Sequence, residues 1–90
     1  MSKTIITVVG KDMVGIIARI SNYLLKANIN ILDISQTVVQ EYFHMMMITD
    51  MSMSPRTFDR VSADLAAIGA KMGQDIRCQK SEIFEKMHRI

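Results

Sequence analysis

The stretch TIITVVGKDMVG at residues 4–15 joins a β-branched run to two glycines that stand just before a helical pattern. β-branched residues favour extended backbone, so we predict a first strand over 3–9. From Val14 the apolar residues recur at helical spacing, which predicts a helix directly after the loop. A turn through Gly10 and Gly15 into a helix leaves the first N–H groups of that helix without internal partners. Because the helix dipole is positive there, we expect any small anion or carboxylate ligand to bind at this corner.

Structural roles also account for the residues of this corner. Glycines at strand–helix turns often supply only a positive φ or close packing. Asp12 can cap the helix with its carboxylate, with or without a ligand. The loop has a single lysine, Lys11, and its glycines match neither the G-K-S/T nor the G-x-G-x-x-G phosphate-binding pattern. Spacing alone therefore favours a structural turn and does not indicate phosphate binding.

Periodicity predicts the elements that follow the corner. The first helix is predicted to begin near Val14 and to end at Asn28 in a left-handed conformation. Its predicted buried face comprises Val14, Ile17, Ala18, Ser21, Leu24 and Leu25. Two strands over 29–40 and 42–51 are predicted to form a hairpin around Glu41.

A second helix, a last strand and a tail complete the predicted order. Ser54 and Pro55 predict the start of the helix, as its N-cap and first helical residue, and Gly73 ends it. A strand over 74–80 and an amphipathic tail over 81–90 follow. Three sets of apolar residues each share one side: Phe58, Val61, Leu65, Ile68 and Met72 in the helix, Ile76 and Cys78 in the strand, and Ile83, Phe84, Met87 and Ile90 in the tail.

The element order β-α-β-β-α-β predicts an α+β, ferredoxin-like sandwich: an antiparallel four-stranded sheet with two helices on one face. Ninety residues make one domain, with a core over about 3–80 and the tail over 81–90. A chain of this size buries only about 60% of its unfolded surface, so association would stabilise it. We expect a homodimer or higher oligomer, and we expect the tail to cover the free face of the sheet in its own chain or in a partner.

Composition and motifs argue against several functional classes. A net charge of +2 is too small to indicate nucleic acid or anionic membrane as a partner. Cys78 is the only cysteine and forms no C-x-x-C motif, and neither His44 nor His88 has a second ligand at metal spacing. We therefore expect no metal and no cofactor. No leader is recognised and no apolar run approaches the roughly 20 residues that span a bilayer, so we expect a cytoplasmic protein.

The predicted fold supports many functions, so the residues must distinguish among them. An RNA-recognition module would carry a basic residue, glycine and stacking aromatics on a central strand, and the strand YFHMMMI at 42–48 has neither the basic start nor the glycine. A soft-metal carrier needs cysteines in the first loop, and an acyl-phosphate hydrolase needs an arginine there. Ser21 and Ser35 have no paired histidine, and the carboxylates of Asp33 and Asp50 belong to no recognisable motif. We expect that the protein is not an enzyme.

The pattern VGKDMVGIIARIS at 9–21, followed by LLKANINILDISQ at 24–36, resembles the ACT domain, a family of small-molecule regulatory modules. The resemblance covers essentially the whole chain in element order. Its specific matches are Asp12, the Gly15-Ile16 pair and the Asn30-Ile31 pair. The chain is similar to the small single-domain members of the family and, more distantly, to the N-terminal half of the glycine cleavage system transcriptional repressor.

The resemblance implies an amino acid bound at an interface between two ACT domains. The loop before the first helix would supply backbone N–H groups and a polar side chain, and an Asn of the second strand would come from the partner subunit. The residues placed at such a site are Asp12, Met13, Val14, Gly15, Ile16, Asn30 and Ile31. The serine-binding sites of the family have Asn where this chain has Asp12. An ionised Asp only accepts hydrogen bonds, so it suits a ligand ammonium and serine is not implied.

Two functions follow as hypotheses. The first is a homodimeric, non-catalytic sensor of a small molecule, which the resemblance implies is an amino acid, that regulates another activity. The second is an adaptor that needs no ligand and docks on a partner enzyme or transcription regulator through its sheet or its tail.

Overall fold

A computed structural model of the chain describes residues 3–11 and 15–81. The elements are β1 (Lys3–Lys11), α1 (Ile16–Lys26), β2 (Asn30–Val39), β3 (Tyr42–Asp50), α2 (Phe58–Met72) and β4 (Gln74–Lys80). This order and the four-stranded antiparallel sheet confirm the predicted ferredoxin-like fold. The predicted tail over 81–90 lies outside the described residues except for Ser81, which is helical.

The sheet has the strand order β2-β3-β1-β4, so β2 and β4 are its edge strands. At one end of the sheet Lys3 of β1 pairs with Asp50 of β3, which pairs with Asn30 of β2; we call this the Asn30 end. At the other end Lys11 pairs with Tyr42, which pairs with Val39. The β1–α1 loop starts there, and we call it the loop end.

The hydrophobic core lies between the two central strands and the helices. Ile6 and Val8 of β1 and Met45 and Met47 of β3 are fully buried in it, whereas Met46 between the two methionines points to the other face and is half-buried. The helices contribute Ile16, Ile20, Leu24, Val61 and Leu65. The predicted stripe of α2 is confirmed, because Phe58, Ile68 and Met72 pack against the same cluster.

The buried face of α1 differs from the predicted one. Its buried residues are Ile16, Ile20 and Leu24, whereas Ile17 and Leu25 are exposed. Both sets recur at helical spacing, since this helix is apolar on more than one side. The helix starts at Ile16, Val14 lies outside the described residues, and the predicted left-handed end at Asn28 is confirmed by its φ of 58°.

The start of α2 also differs from the prediction. Thr57 is the N-cap, and its Oγ1 accepts a hydrogen bond from the Arg60 N–H at 3.1 Å. Ser54, the predicted cap, accepts a bond from the Arg56 N–H at 3.2 Å, within the loop that precedes the helix. Both residue types suit a cap, and the path of the chain between β3 and α2 decides which one is used. Gly73 ends α2 as predicted, with φ 69°.

A polar cluster joins the two helices on the solvent side of the core. The Tyr23 hydroxyl of α1 donates a hydrogen bond to Oδ2 of Asp64 in α2 at 2.6 Å. Arg60 Nε lies 3.3 Å and Arg56 Nη1 3.8 Å from the same oxygen, and the Arg56 guanidinium lies 5.2 Å from the centre of the Tyr23 ring. The hydrogen bond from Tyr23 is the largest cause of the lowered pKa of Asp64, and Arg60 and Arg56 lower this pKa further. Partial desolvation acts in the opposite direction and raises it. Burial and the bond to Asp64 raise the pKa of Tyr23.

Replacing Tyr23 by Phe should raise the pKa of Asp64 toward its ordinary value, because the variant removes the largest cause of the lowered pKa. A carboxyl with a lowered folded pKa stabilises the folded state above its ordinary pKa of about 4, and this stabilisation is lost as the pH falls through the folded pKa. Tyr23→Phe should therefore reduce the loss of stability on acidification. NMR titration of the Asp64 carboxyl carbon measures the pKa. Tyr42→Phe, which alters an exposed tyrosine of β3, is the control, and an unchanged Asp64 pKa in Tyr23→Phe would contradict the prediction.

Candidate functional site

The sequence-predicted site residues fall at two separate places. Gly15 and Ile16 lie at the loop end, and Asn30 and Ile31 lie at the Asn30 end. The three predicted loop residues, Asp12, Met13 and Val14, are outside the described residues. Nine residue steps along β2 separate the two ends, which is about 30 Å at roughly 3.3 Å per residue. One small ligand therefore does not touch both groups within a single chain.

At the loop end, the first turn of α1 has backbone N–H groups that no bond within the helix satisfies. Gly15 has φ 97°, in the left-handed region that favours glycine, and among the described residues other than its chain neighbours no atom lies within 4 Å of the position that a Cβ would occupy. The first bond of the helix runs from the Arg19 N–H to the Gly15 carbonyl at 2.9 Å, so the preceding N–H groups of the first turn have no partner within the helix. Ile16 as a whole residue is only 2% exposed, and its side chain belongs to the core, so Ile16 anchors the start of the helix.

Gln74 fixes the end of β1 immediately before the loop, and sequence reasoning missed it. Gln74 of β4 lies opposite Gly10 of β1 in the sheet, and the Gln74 Nε2 donates a hydrogen bond to the Lys11 carbonyl at 2.5 Å. Gln74 is 6% exposed as a residue, and its Oε1 would lie 2.2 Å from a Cβ on Gly10. Gln74 therefore needs the bare backbone of Gly10. The available signal was a polar residue on the face of β4 that also carries Ile76 and Cys78.

At the Asn30 end, an open cleft of about 390 Å³ is lined by Leu25, Asn28, Ile29, Asn30, Asp50 and Met53. The Asn28 Nδ2 donates a hydrogen bond to the Met53 carbonyl at 3.0 Å and so ties the end of α1 to the loop after β3. Asp50 Oδ1 accepts a bond from the Ser52 N–H at 2.9 Å. Asn30 is exposed at this rim, where its amide can both donate and accept hydrogen bonds, and Ile31 behind it packs against the core.

The edge strand β2 carries exposed apolar side chains. Ile34 pairs with buried Met47, and Val38 pairs with buried Phe43, so both lie on the helix side of the sheet. Val38 is nevertheless 55% exposed and Ile34 45% exposed, because β2 extends beyond the helices. In the described sheet, β2 pairs with β3 only, so its outer edge presents backbone hydrogen-bonding groups beside apolar side chains.

The described residues offer little reactive chemistry. Burial raises the pKa of the Cys78 thiol to about 11, with a bond to Ser62 acting in the opposite direction, so this thiol is protonated at neutral pH. Within residues 3–11 and 15–81, no group of three His, Cys, Asp or Glu side chains is placed to hold a metal ion. No helix in these ranges is long and apolar enough to cross a membrane.

Gly10→Ala should destabilise the protein by about 1–3 kcal/mol, because the added methyl group overlaps Gln74 and displaces its bond to Lys11. The free energy of unfolding in urea measures the effect. In the Gln74→Ala background the overlapping amide is absent, so the double variant should be more stable than the sum of the single effects predicts. Strict additivity would show that Gln74 is not what excludes a side chain at position 10.

Comparison with known proteins covers the chain almost completely. Residues 2–79 match a family model described as the ACT domain. A UPF0237 protein of Bifidobacterium longum is 53% identical over 90 residues, which are 100% of both chains. The structure of an ACT domain protein from Streptococcus pneumoniae is similar with a TM-score of 0.81 and 42% identity, over 93% of this chain and 94% of that one. A candidate glycine cleavage system transcriptional repressor is similar with a TM-score of 0.74 and 25% identity, over 88% of this chain and 45% of that one.

Proposed function

The chain belongs to the ACT domain family, and we propose that it is a non-catalytic regulatory module that binds an amino acid between two copies of itself. The observation that carries this proposal is the sheet register. It places Asn30 opposite Asp50, which pairs on its other side with Lys3, at the end of the sheet remote from the β1–α1 loop. A ligand that contacts both Asn30 and the loop therefore takes them from different chains.

Pairing of two β2 strands brings the two groups together. In an antiparallel pair around a two-fold axis, the start of one strand lies beside the end of the other. Asn30 of the partner subunit then approaches Val39, at the loop end of the first chain. The exposed Ile34 and Val38 of both copies become buried in the same contact. Such pairing also satisfies the outer backbone groups of β2.

The resulting corner suits the two charges of an amino acid. The N–H groups of the first turn of α1, with the positive end of the helix dipole, suit a carboxylate. The Asp12 carboxylate suits an ammonium group. The Asn30 amide of the partner subunit can bond to either group. Met13, Val14 and Gly15, which follow Asp12 in the sequence, are assigned to the same proposed site, while Ile16 and Ile31 hold the helix start and the start of β2 against the core.

Amino-acid binding should require both Asp12 and Asn30. A thermal-shift screen of the full chain against the twenty amino acids identifies the ligand, because a ligand at 100 times its Kd adds about 2.7 kcal/mol to the native state. Asp12→Ala and Asn30→Ala should each abolish the shift. Asn22→Ala, an exposed asparagine on the same molecule, should retain it.

Mixed dimers test the sharing of the site between chains. A dimer of one Asp12→Ala chain and one Asn30→Ala chain contains one intact site and one site that lacks both residues. Calorimetry should therefore show native affinity at half the native stoichiometry. If the mixed dimer binds no ligand while the wild type does, Asp12 and Asn30 act within one chain and the shared site is wrong.

Charge at the β2 edge should dissociate the dimer. In the double variant Ile34→Lys/Val38→Lys, two pairs of like charges would have to be buried in the contact, so light scattering should give the 10.2 kDa mass of one chain. Val9→Lys changes an apolar residue of similar exposure on the opposite face of the sheet, in an interior strand, and should leave the dimer intact. Dissociation by Val9→Lys alone would instead locate the contact on that face.

The same exposed edge favours a second candidate function. A strand of another protein can add to β2 through main-chain bonds, with Ile34 and Val38 as apolar anchors. In that case the protein is an adaptor that needs no ligand. Absence of any thermal shift, combined with a monomeric wild type, would favour this function over the sensor.

A further inference from the structure

The side chain of Gln74 carries a buried hydrogen-bonding atom that its packing within the chain does not use. Gln74 is only 6% exposed, and its Nε2 donates to the Lys11 carbonyl. Its Oε1 is buried as well, yet it accepts no hydrogen bond from any residue that the structure describes. A buried acceptor without a donor destabilises a folded chain, and such atoms are rare in native proteins. A donor that binds from outside the chain would remove this cost.

The contact with Lys11 sets the orientation of the Gln74 amide. A carbonyl oxygen only accepts hydrogen bonds, so the NH2 group of Gln74 has to face the Lys11 carbonyl and the Oε1 has to face away from it. Rotation of the amide by half a turn would place two oxygens against each other and lose the bond. Gly10 leaves the space that Oε1 occupies, since a Cβ there would lie 2.2 Å from this atom. The unused atom is therefore an acceptor, and it suits a ligand group that donates.

Gln74 lies at the loop end, on the same side of the sheet as the helices. It pairs with Gly10, which alternates along β1 with the core residue Val8. Only three residues separate Lys11 from Gly15 at the start of α1, so the first turn lies within about 14 Å of Lys11. An amino acid with one hydrogen bond at each of its charged groups spans about 9 Å, which is within that limit.

We propose that Gln74 is a binding residue of the ligand corner, and that its Oε1 accepts a hydrogen bond from the ammonium group of the bound amino acid. This inference rests on the proposed function and adds a residue of β4 to the site. An ammonium group has three N–H donors, so Asp12 and Gln74 can both accept from it. The N–H groups of the first turn of α1 take the carboxylate. Gln74 thereby selects ligands with a free amino group over carboxylic acids that lack one.

Paired probes test this selection in the full chain. Each amino acid is compared with the carboxylic acid that lacks only the amino group, for example alanine with propionate and leucine with 4-methylpentanoate. Gln74→Met keeps the length of the side chain and removes its strong acceptor. The variant should lower the ratio of the two affinities, amino acid to deaminated acid, by about 10–100-fold, because one hydrogen bond to a charged group is lost. Titration followed by NMR measures both affinities.

The ratio separates recognition of the ammonium group from support of the loop. If Gln74 acts only by holding Lys11, the variant weakens both probes by the same factor and the ratio is unchanged. Gln79→Met replaces an exposed glutamine of the same strand, paired with Ile5 near the other end of the sheet, and should change neither affinity. An unchanged ratio in Gln74→Met, with amino-acid binding by the wild type, would overturn this inference and leave the proposed function standing. A wild type that binds no amino acid would overturn both.

The resonance of the side-chain carbonyl carbon provides a direct measurement without a substitution. In carbon-13-labelled wild type, saturation with the amino acid should shift the Cδ resonance of Gln74, because its Oε1 gains a donor. The deaminated acid should shift this resonance far less. The Cδ of Gln79 is the internal control and should stay in place with either probe. A Gln74 Cδ resonance that does not move at saturation with the amino acid would overturn the inference.

Discussion

The pairing of β1 with β3 is the constraint on which the rest of the molecule depends. Residues of the two strands that face each other lie on the same side of the sheet, so Ile6 and Val8 join Met45 and Met47 in one fully buried patch. Both helices pack on that patch. A slip of one residue in this register would turn the patch to the opposite face and leave the helices without a core.

The sheet is wider than the layer that two helices can cover. The central strands and β4 lie under the helices, whereas nine of the ten residues of β2 are exposed. A chain of 90 residues has no further helix among its described elements to shield that edge. Exposed backbone groups next to Ile34 and Val38 are therefore a consequence of small size, and such an edge is a template for pairing with another strand.

A ligand site shared between subunits would couple ligand binding to the formation of the dimer. If the amino acid contacts the loop of one chain and Asn30 of the partner subunit, it binds the dimer and not the isolated chain. Linkage then requires that the ligand strengthen association by the same factor by which association strengthens ligand binding. A regulatory module with such a shared site would in this way convert the concentration of a small molecule into the population of one assembly.

By itself the sequence determined the order of the elements, because alternation of period two and stripes of period 3.6 are local properties. Asn28 and Gly73 end their helices as predicted for the same reason: the left-handed conformation is a preference of the residue itself. The family was also evident from a short pattern around the first loop, and the comparisons confirm it.

Only the tertiary structure decided which of two apolar sides of α1 is buried, and which of two capping residues, Ser54 or Thr57, begins α2. It also revealed Gln74 against Gly10 and the separation of Asn30 from the loop. Each of these depends on residues distant in sequence: on the path of a connection, on a contact between β1 and β4, or on the register of a sheet. A local sequence pattern does not encode contacts between residues that are far apart in the chain, since these contacts form only when the whole sheet is assembled.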